Sequence, residues 1–446
     1  MPTGVTVDGS GDVVIADSWD NCVRVVAGSS GTFLGQPVTA GDISDAAGVC
    51  GIGSFSGDGG PAPQAGLWGP TATAFDRAGN LVIADADNYR VRVVAASSGM
   101  FYGQAMTAGD IYTVAGSGLA GTAGGDGGPA AAASFDQLDG IAVDGSGNLV
   151  VADASPGSTD DGVRVVAATS GTFYGQAMTA GDIYGLGTAF GGARGVAVDG
   201  SGNAVLVAGP GIEVLAGSSG TFYGQSMTAG GVYTVAGSSS NQQGPVNGVP
   251  ALGAALGYAN GVALDGQGNL VVSNGDGLIR VVAVSSGTFY GQAMAAGDIY
   301  TVAGYPWAGP TTPITFGDGG PATAAFFADP EAVAVDPAGN LYIADTASAR
   351  IREVTAEPTA QAITFTSAVP TGATVGGASY DVSATGGGSG NPVTFSVDPT
   401  ATSVCSISGS TVSFTGAGTC VVDADQAGSS GYSAAPEVRQ SFAVAG

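Results

Sequence analysis

The side chains able to do chemistry in this 446-residue chain are of few kinds. There is no His and no Lys; all ten basic residues are Arg, and the 36 acidic residues are 31 Asp and five Glu. Without His the chain lacks the commonest general base and the commonest zinc ligand, and it cannot form a Ser-His-Asp triad. Carboxylate and amide oxygens remain, and these suit a hard cation such as Ca²⁺ or Mg²⁺.

Charge and hydropathy exclude two classes of partner. The net charge is −26, and ten scattered Arg cannot form the basic face that nucleic acids or anionic membranes require. No stretch of about 20 residues is continuously apolar, so we expect no insertion into a membrane.

The elements that position these oxygens are predicted to be strands. The chain has 80 Gly, 44% hydrophobic residues and only 10% charged residues. Ordinary apolar content with many Gly is typical of short strands joined by tight turns, because Gly adopts turn dihedrals that other residues resist.

A repeated segment occurs six times. Each copy has three apolar runs of the kind VAVD, LVVAD and VRVV, and in five copies an outer segment such as SGTFYGQAMTAGDIYTVAG supplies a fourth. Four antiparallel strands repeated six times predict a six-bladed β-propeller. The sixth copy has no fourth run after Val354, and no signal sequence is present, so we expect a fragment or processed form of a longer protein. The Asp that ends the first run marks each copy: Asp8, Asp76, Asp144, Asp199, Asp265 and Asp336.

The repeat resembles a known family. The string GVAVD-x-x-GNLYIAD followed by R-I-R, with the linker GDGGPA at residues 57–62, 125–130 and 317–322, resembles the NHL-repeat propellers of bacteria. The resemblance implies an all-β six-bladed β-propeller over residues 1–356. It implies no single function, because the family includes ligand-binding ectodomains, interaction scaffolds and a few enzymes.

Residues 360–446 differ from the repeats in their sequence pattern. About seven short alternating runs predict a β-sandwich, joined to the propeller near residues 357–359. The stretch CSISGSTVSFTGAGTC resembles bacterial immunoglobulin-like modules, and the resemblance implies a spacer or stalk.

The four Cys fall into two local pairs. Cys405 and Cys420 bracket a predicted hairpin of the sandwich. Cys22 starts the third strand of the first copy, and Cys50 is predicted to end its fourth, so the two should face each other. We predict two disulfides, with pairs of small buried thiols as the alternative. Two pairs without a leftover Cys favour an oxidising, extracellular or cell-surface location.

The resemblance also indicates a site. Enzymes similar to this family place metal ligands just before the Gly that opens each first strand, around the central channel. Gluconolactonase-type propellers use an Asp, an Asn and a Glu there, so Asp139, Asn260 and Glu331 are the candidate metal ligands, with Ca²⁺ as candidate cofactor. Streptogramin lyases and peptide-amidating lyases use His and are disfavoured. The alternative is a water-filled channel with an Asp139–Arg194 ion pair. The channel and ligand-binding candidates are Thr3, Thr71, Asp139, Arg194, Asn260 and Glu331.

Other repeated residues have structural interpretations. Five Arg at one register are expected to pack between blades and bond carbonyls or the Asp of the A-D motif, and the Asp of each GDGG linker is expected to be a turn or cap residue. The Phe-Tyr pairs of the outer segment could form an aromatic rim for glycans or proteins, or could pack against the blades. The five Arg are Arg24, Arg92, Arg164, Arg280 and Arg352.

Three functions remain open from the sequence. We favour a secreted or cell-surface binding and scaffold protein, monomeric, whose propeller binds a protein or glycan ligand, with no catalytic residue assigned. The alternatives are a divalent-cation-dependent lactonase or hydrolase using the channel carboxylates, and a purely structural surface component. Whether the protein is an enzyme stays open, with the absence of His favouring a non-enzyme.

Overall fold

The computed structural model describes residues 1–120, 124–153, 162–186, 192–238, 246–305, 316–356, 360–428 and 432–446. It forms two compact units, Met1–Thr355 and Ala356–Gly446. The predicted junction at residues 357–359 lies outside the described residues. In the described ranges the elements are strands and short 3₁₀ turns, which confirms the all-β prediction. None of the helical turns described has the length or hydropathy to cross a membrane.

Among the described residues, the first unit contains six antiparallel sheets of three to five strands, here called blades one to six, and five two-stranded hairpins. Blades one to five have four main strands each, and blade six has three among the described residues. Alternating apolar residues place one face of each sheet against the next, and the second and third strands are the most deeply buried. The strands are, in order, Pro2–Val7, Val13–Asp17, Cys22–Val26 and Ile43–Ala47; Pro70–Phe75, Leu81–Asp85, Arg90–Val94 and Asp110–Ala115; Leu138–Val143, Leu149–Asp153, Val163–Val166 and Asp182–Gly185; Ala193–Val198, Ala204–Ala208, Gly211–Leu215 and Val232–Gly237; Ala259–Leu264, Leu270–Asn274, Leu278–Val282 and Asp298–Ala303; and Pro330–Val335, Leu341–Asp345 and Arg350–Val354.

The first strands line the axis of the unit. Each contacts the first strand of the next blade, and the strand Pro330–Val335 of blade six contacts Pro2–Val7 of blade one, so the ring is closed. Close approach needs Gly at four of these steps, at Gly4, Gly140, Gly195 and Gly261. A Cβ at Gly4 would lie 2.4 Å from the Thr71 carbonyl oxygen, and one at Gly140 would lie 2.4 Å from that of Arg194. The Gly of the repeat therefore sets the distance between blades.

A short outer hairpin lies between the third and fourth strands of blades one to five. Its tight turn places Leu34 in blade one, and Tyr in the other four, at positive φ, followed by Gly also at positive φ. Two successive residues at positive φ form the type I′ turn, which is favoured in hairpins with two-residue loops. The hairpins are Gly31–Phe33 with Gln36–Val38, Gly99–Phe101 with Gln104–Met106, Gly171–Phe173 with Gln176–Met178, Gly220–Phe222 with Gln225–Met227, and Gly287–Phe289 with Gln292–Met294.

In blades two, three, five and six a repeated Arg ties the blade to the linker before it. Arg92 is fully buried and donates to the carbonyls of Gly66 (2.8 Å) and Ser56 (3.0 Å) and to Asp58 (2.6 Å). Arg164 does the same with Asp126, and Arg352 with Asp318. The bonds to carbonyls confirm the expected role of the Arg. Each GDGG Asp lies in a hydrogen-bonded turn, as expected, and its side chain also pairs with the Arg. A buried guanidinium needs a carboxylate to balance its charge, and the linker supplies one.

Two disulfides form, Cys22–Cys50 and Cys405–Cys420, as the sequence predicted. One detail of the prediction was wrong. The fourth strand of blade one ends at Ala47, and Cys50 lies three residues beyond it in the following loop. The bond therefore closes a loop at the end of the blade, not a pair of facing strand residues.

The second unit contains nine short strands in its described residues. A four-stranded sheet, a three-stranded sheet and a two-stranded pair enclose a core that includes Val412, Phe414, Val422 and Phe442. Assignment of this unit to the immunoglobulin-like family stays a prediction. The strands are Thr364–Phe365, Ala373–Thr374, Tyr380–Asp381, Ala384–Thr385, Val393–Val397, Cys405–Ser408, Thr411–Phe414, Gly418–Gln426 and Val438–Ala445.

Candidate functional site

A β-bulge at the start of each first strand builds the candidate site. In every blade the pairing between the first and second strands shifts at one point, for example between Pro2 and Gly4 and between Leu138 and Gly140. In five blades the one residue skipped by the ladder is the residue singled out from the sequence, and in blade four the ladder skips that residue, Arg194, together with Gly195. A bulge re-aims a side chain, and here it does so at the mouth of the axial channel. The bulged residues are Thr3, Thr71, Asp139, Arg194, Asn260 and Glu331, here called the channel ring.

All six residues of the channel ring line one cavity of about 240 Å³. The order of the blades around the ring determines which ring residues lie opposite each other. Asp139 of blade three lies opposite Glu331 of blade six, and Arg194 of blade four lies opposite Thr3 of blade one. The two carboxylates therefore face each other across the channel, with Arg194 and Asn260 between them on one side.

Three residues of the channel ring also form hydrogen bonds with the neighbouring blade. The Thr3 hydroxyl donates to the carbonyl of Thr71 (3.2 Å), and the Thr71 hydroxyl donates to that of Leu138 (2.5 Å). The Asn260 amide donates to Asp329 (3.2 Å) and to the Pro330 carbonyl (3.3 Å), which leaves its Oδ1 free to accept. These residues therefore have a structural role, and they still present acceptor oxygens to the channel.

The three charged residues of the channel ring make fewer contacts with neighbouring blades. Among the described residues no ion pair within 4 Å joins Asp139 to Arg194, so the pair expected in the water-filled alternative does not form. Burial raises the pKa of Asp139, and the nearby Arg194 partly offsets this. Burial, helped by the negative charges of Asp329 and Asp139, raises the pKa of Glu331 to about 7. Glu331 can therefore change protonation near neutral pH.

The donor set fits a divalent cation only in part. Asn260 Oδ1 and the Glu331 carboxylate lie on adjacent blades and are the hard oxygens that Ca²⁺ prefers. Asp139 lies across the channel from Glu331, and Arg194 adds a positive charge at the same mouth. In the part of the chain that the structure describes, three ligand atoms from His, Cys, Asp or Glu come within 4.8 Å of one another only at Cys22, Asp45 and Cys50. Two of these are sulfurs of a disulfide, so that group is not a cation site.

At the other end of the first strands, the repeated Asp residues are saturated with hydrogen bonds. Asp76 Oδ1 accepts from the backbone amides of Ala78 (2.8 Å) and Asn80 (2.9 Å). Its Oδ2 accepts from the Asn80 side chain (2.8 Å) and from the Tyr102 hydroxyl (3.1 Å). Tyr174, Tyr223 and Tyr290 repeat this contact. The Tyr hydroxyls therefore bond to their own blade while the Phe-Tyr pairs pack against the adjacent blade, and the alternative of an exposed aromatic rim was wrong.

The site residues came from the sequence, but several of their partners did not. The sequence indicated neither the bulges nor the neighbours that hold the ring. Ser18 donates to the Pro70 carbonyl, and Thr346 donates to the Pro2 carbonyl, which joins blade six to blade one. Asp329, which raises the pKa of Glu331 and accepts from Asn260, carried no repeat signal. The sequence feature that could have indicated Asp329 is its position two residues before Glu331.

Comparison with solved structures finds distant neighbours. A protein of unknown function from Bacteroides thetaiotaomicron aligns with 79% of this chain and 68% of its own, at 13% identity and a TM-score of 0.49. A gluconolactonase from Xanthomonas campestris aligns over 77% and 82%, at 12% identity and a TM-score of 0.41. A calcium-binding protein, regucalcin, from Agrobacterium tumefaciens aligns over 77% and 81%, at 12% identity and a TM-score of 0.42. Similarity at these values of sequence identity and TM-score supports no inference about function.

Comparison of the sequence itself gives one assignment. No curated protein matches the chain. One family model matches residues 1–26, which are the first three strands of blade one and include the ring residue Thr3. That family is the NHL repeat, and it is at blade one that the resemblance inferred from the sequence is supported.

Proposed function

We propose that this protein is an extracellular binding protein whose channel ring takes a small polar ligand that carries an amine. The observation that carries the proposal is the set of charged side chains at one cavity mouth, Asp139, Arg194 and Glu331, in blades whose other polar groups are largely bonded within the repeat. The two disulfides support the extracellular location. The second unit is then a spacer.

The charges of the mouth favour this class of ligand. Among the residues that line the mouth, the two carboxyl groups of Asp139 and Glu331 outnumber the one guanidinium of Arg194, and the whole chain carries a net charge of −26. A cationic amine would lie between the facing carboxylates, and Arg194 would donate hydrogen bonds to an oxygen of the same ligand. A zwitterion fits this arrangement, since both of its charges find a partner. The cavity, at about 240 Å³, admits a molecule of a few heavy atoms up to a single sugar.

A divalent-cation-dependent lactonase is the second candidate. Asn260 Oδ1 and Glu331 favour it, because they could both bind one ion from adjacent blades. The position of Asp139 across the channel weighs against it, because the third oxygen donor is then separated from the other two.

Thermal unfolding with a ligand panel tests the proposal. The panel contains free amino acids, amino sugars, neutral sugars, aldonic lactones and CaCl₂ with and without chelator. We expect an amine-bearing compound to raise the melting temperature, because a ligand at 100 times its Kd stabilises the folded state by about 2.7 kcal/mol. The shift should vanish in Asp139→Asn and persist in Asp425→Asn, which alters an exposed carboxylate of the second unit.

Other results would decide against it. A shift produced by CaCl₂ alone and reversed by chelator would support the cation-dependent alternative. The absence of any shift across the panel, or a shift that Asp139→Asn leaves unchanged, would overturn binding at the channel ring.

A further inference from the structure

The cavity at the channel ring has another layer of side chains next to the ring. In each first strand the residue two positions after the ring residue also lines the cavity. Side chains two positions apart in a strand lie on the same side of it, so each blade contributes one ring residue and one residue of this further layer. We call these six residues the second layer; they are Val5, Thr73, Ile141, Val196, Val262 and Val333.

The second layer is apolar and largely closed to solvent. Five of its six side chains are aliphatic, and all of them are buried except Val196, which is half-buried. The cavity therefore has charged side chains at the ring and aliphatic side chains at the next level. A ligand that fills it would place its charges at the ring and its carbon atoms at the second layer, because an unpaired charge among aliphatic side chains costs free energy.

Thr73 is the one polar residue of the second layer. Its side chain is 8% exposed, and its hydroxyl has no hydrogen-bond partner in the part of the chain that the structure describes. Thr71, two residues earlier in the same strand, differs in this respect, because its hydroxyl donates to the Leu138 carbonyl of the next blade. A buried hydroxyl without a partner is costly, so a ligand group that pairs with Thr73 would gain affinity.

The separation of the two layers defines where the ligand should carry this group. Residues two positions apart in an antiparallel strand are about 6.8 Å apart along it. In an α-amino acid the amine nitrogen and a γ-oxygen are about 3 Å apart, and a hydrogen bond spans about 2.8 Å more. An amine bound at the level of the ring therefore brings a γ-hydroxyl within reach of Thr73.

We propose that the channel binds an α-amino acid with a short aliphatic side chain that carries a γ-hydroxyl, a class that rests on the proposed function because it needs an amine-bearing ligand at the channel ring. L-Threonine is the simplest member with both a γ-hydroxyl and a γ-methyl group. Its amine would lie between Asp139 and Glu331, and its carboxylate would accept from Arg194. Its methyl group would contact the aliphatic second layer, and its hydroxyl would pair with Thr73.

The second layer disfavours other ligands that the ring alone would admit. An amino sugar carries hydroxyl groups on most of its carbon atoms, and among the side chains of the second layer only Thr73 could pair with one of them. A charged side chain, such as that of aspartate, would lose its hydration there without gaining a counter-charge. Glycine would leave the second layer without contacts.

Titration calorimetry of the full chain tests this class of ligand. The probes are L-threonine, L-allo-threonine, L-valine, glycine, L-aspartate and glucosamine. We expect L-threonine to bind about fivefold more tightly than L-valine, roughly the value of one hydrogen bond. L-Valine should bind at least about tenfold more tightly than glycine, because its methyl groups are buried. L-allo-Threonine, which exchanges the hydroxyl with the methyl group, and the two remaining probes should bind more weakly than L-threonine.

A pair of matched variants locates the hydroxyl contact. Thr73→Val replaces the hydroxyl with a methyl group at constant shape, so it should weaken L-threonine about fivefold and tighten L-valine, which reverses the preference. Thr113→Val is the control. The Thr113 hydroxyl is also buried without a partner among the described residues, but Thr113 lies in the fourth strand of blade two and does not line the cavity. This variant should leave both affinities unchanged.

Failure of this ligand class is distinguishable from failure of the proposed function. Binding that Asp139→Asn abolishes, but with equal affinity for L-threonine, L-valine and glycine, would overturn the class and leave the proposed function intact. Tighter binding of glucosamine than of L-threonine, or an unchanged preference for L-threonine in Thr73→Val, would do the same. No binding of any amine-bearing probe up to about 10 mM would overturn both.

Discussion

The two ends of one strand use the same residue type in opposite ways. Leu138–Val143 has Asp139 at its start and Asp144 directly after its end. Asp144 accepts from the amides of Ser146 (2.8 Å) and Asn148 (2.9 Å), from the Asn148 side chain (2.8 Å) and from Tyr174. Asp139 has none of these bonds, and burial raises its pKa. A carboxylate stabilised by its own repeat is structural, whereas one held at a cavity without partners is available to a ligand.

Removing a charge from the repeated network should have the largest effect. Arg164 is fully buried and donates to Asp126 (2.6 Å) and to the Ser134 carbonyl (2.7 Å), with Asp153 at 3.4 Å. Arg164→Met leaves the buried carboxylate of Asp153 and the partly exposed carboxylate of Asp126 without their cation, and it should cost about 3–5 kcal/mol of unfolding free energy, measured in urea. Arg77→Met, at an exposed position, should cost less than about 0.5 kcal/mol. A small effect of Arg164→Met would show that the network is not what stabilises the blades.

The two Asp of the same strand should differ in a direct comparison. Asp144→Ala leaves buried donors unsatisfied and should cost about 1–3 kcal/mol. Asp139→Ala should leave stability unchanged or raise it, because it removes a carboxylate that burial disfavours. Urea unfolding of the two variants measures the difference. Equal losses would remove the distinction between the two ends.

The smallest effect should depend on pH. Glu331 has a pKa of about 7 in the folded protein against an ordinary 4.5, so the folded state holds its proton more tightly than the unfolded state does. Its contribution is therefore most favourable below pH 4.5 and is lost as pH rises towards 7. Glu331→Gln should have a melting temperature a few degrees above the parent at about pH 8, and the gap should close as the pH falls to the ordinary pKa of Glu. A gap that does not change with pH would contradict the raised pKa.

The repeats made much of the fold predictable. Alternating runs and turn residues recur in all copies, so strand number and the pairing of consecutive strands followed from local sequence. The candidate ring followed from resemblance, because each of its residues precedes the first-strand Gly or its Ala substitute. The exposed aromatic rim was wrong and the turn role of Asp58 was incomplete, because the contacts of both side chains depended on distant partners, 26 residues away in sequence for Tyr102 and 34 for Asp58.

By itself the sequence determined which residues lie at equivalent positions, which Cys are near each other, and that His chemistry is absent. Such facts depend on local periodicity and composition, which need no knowledge of distant contacts. Only the tertiary structure decided that Asp139 faces Glu331 across the channel and that a bulge aims each ring residue inward. Those facts depend on closure of the ring, in which the angle between blades brings together residues that are far apart in the chain.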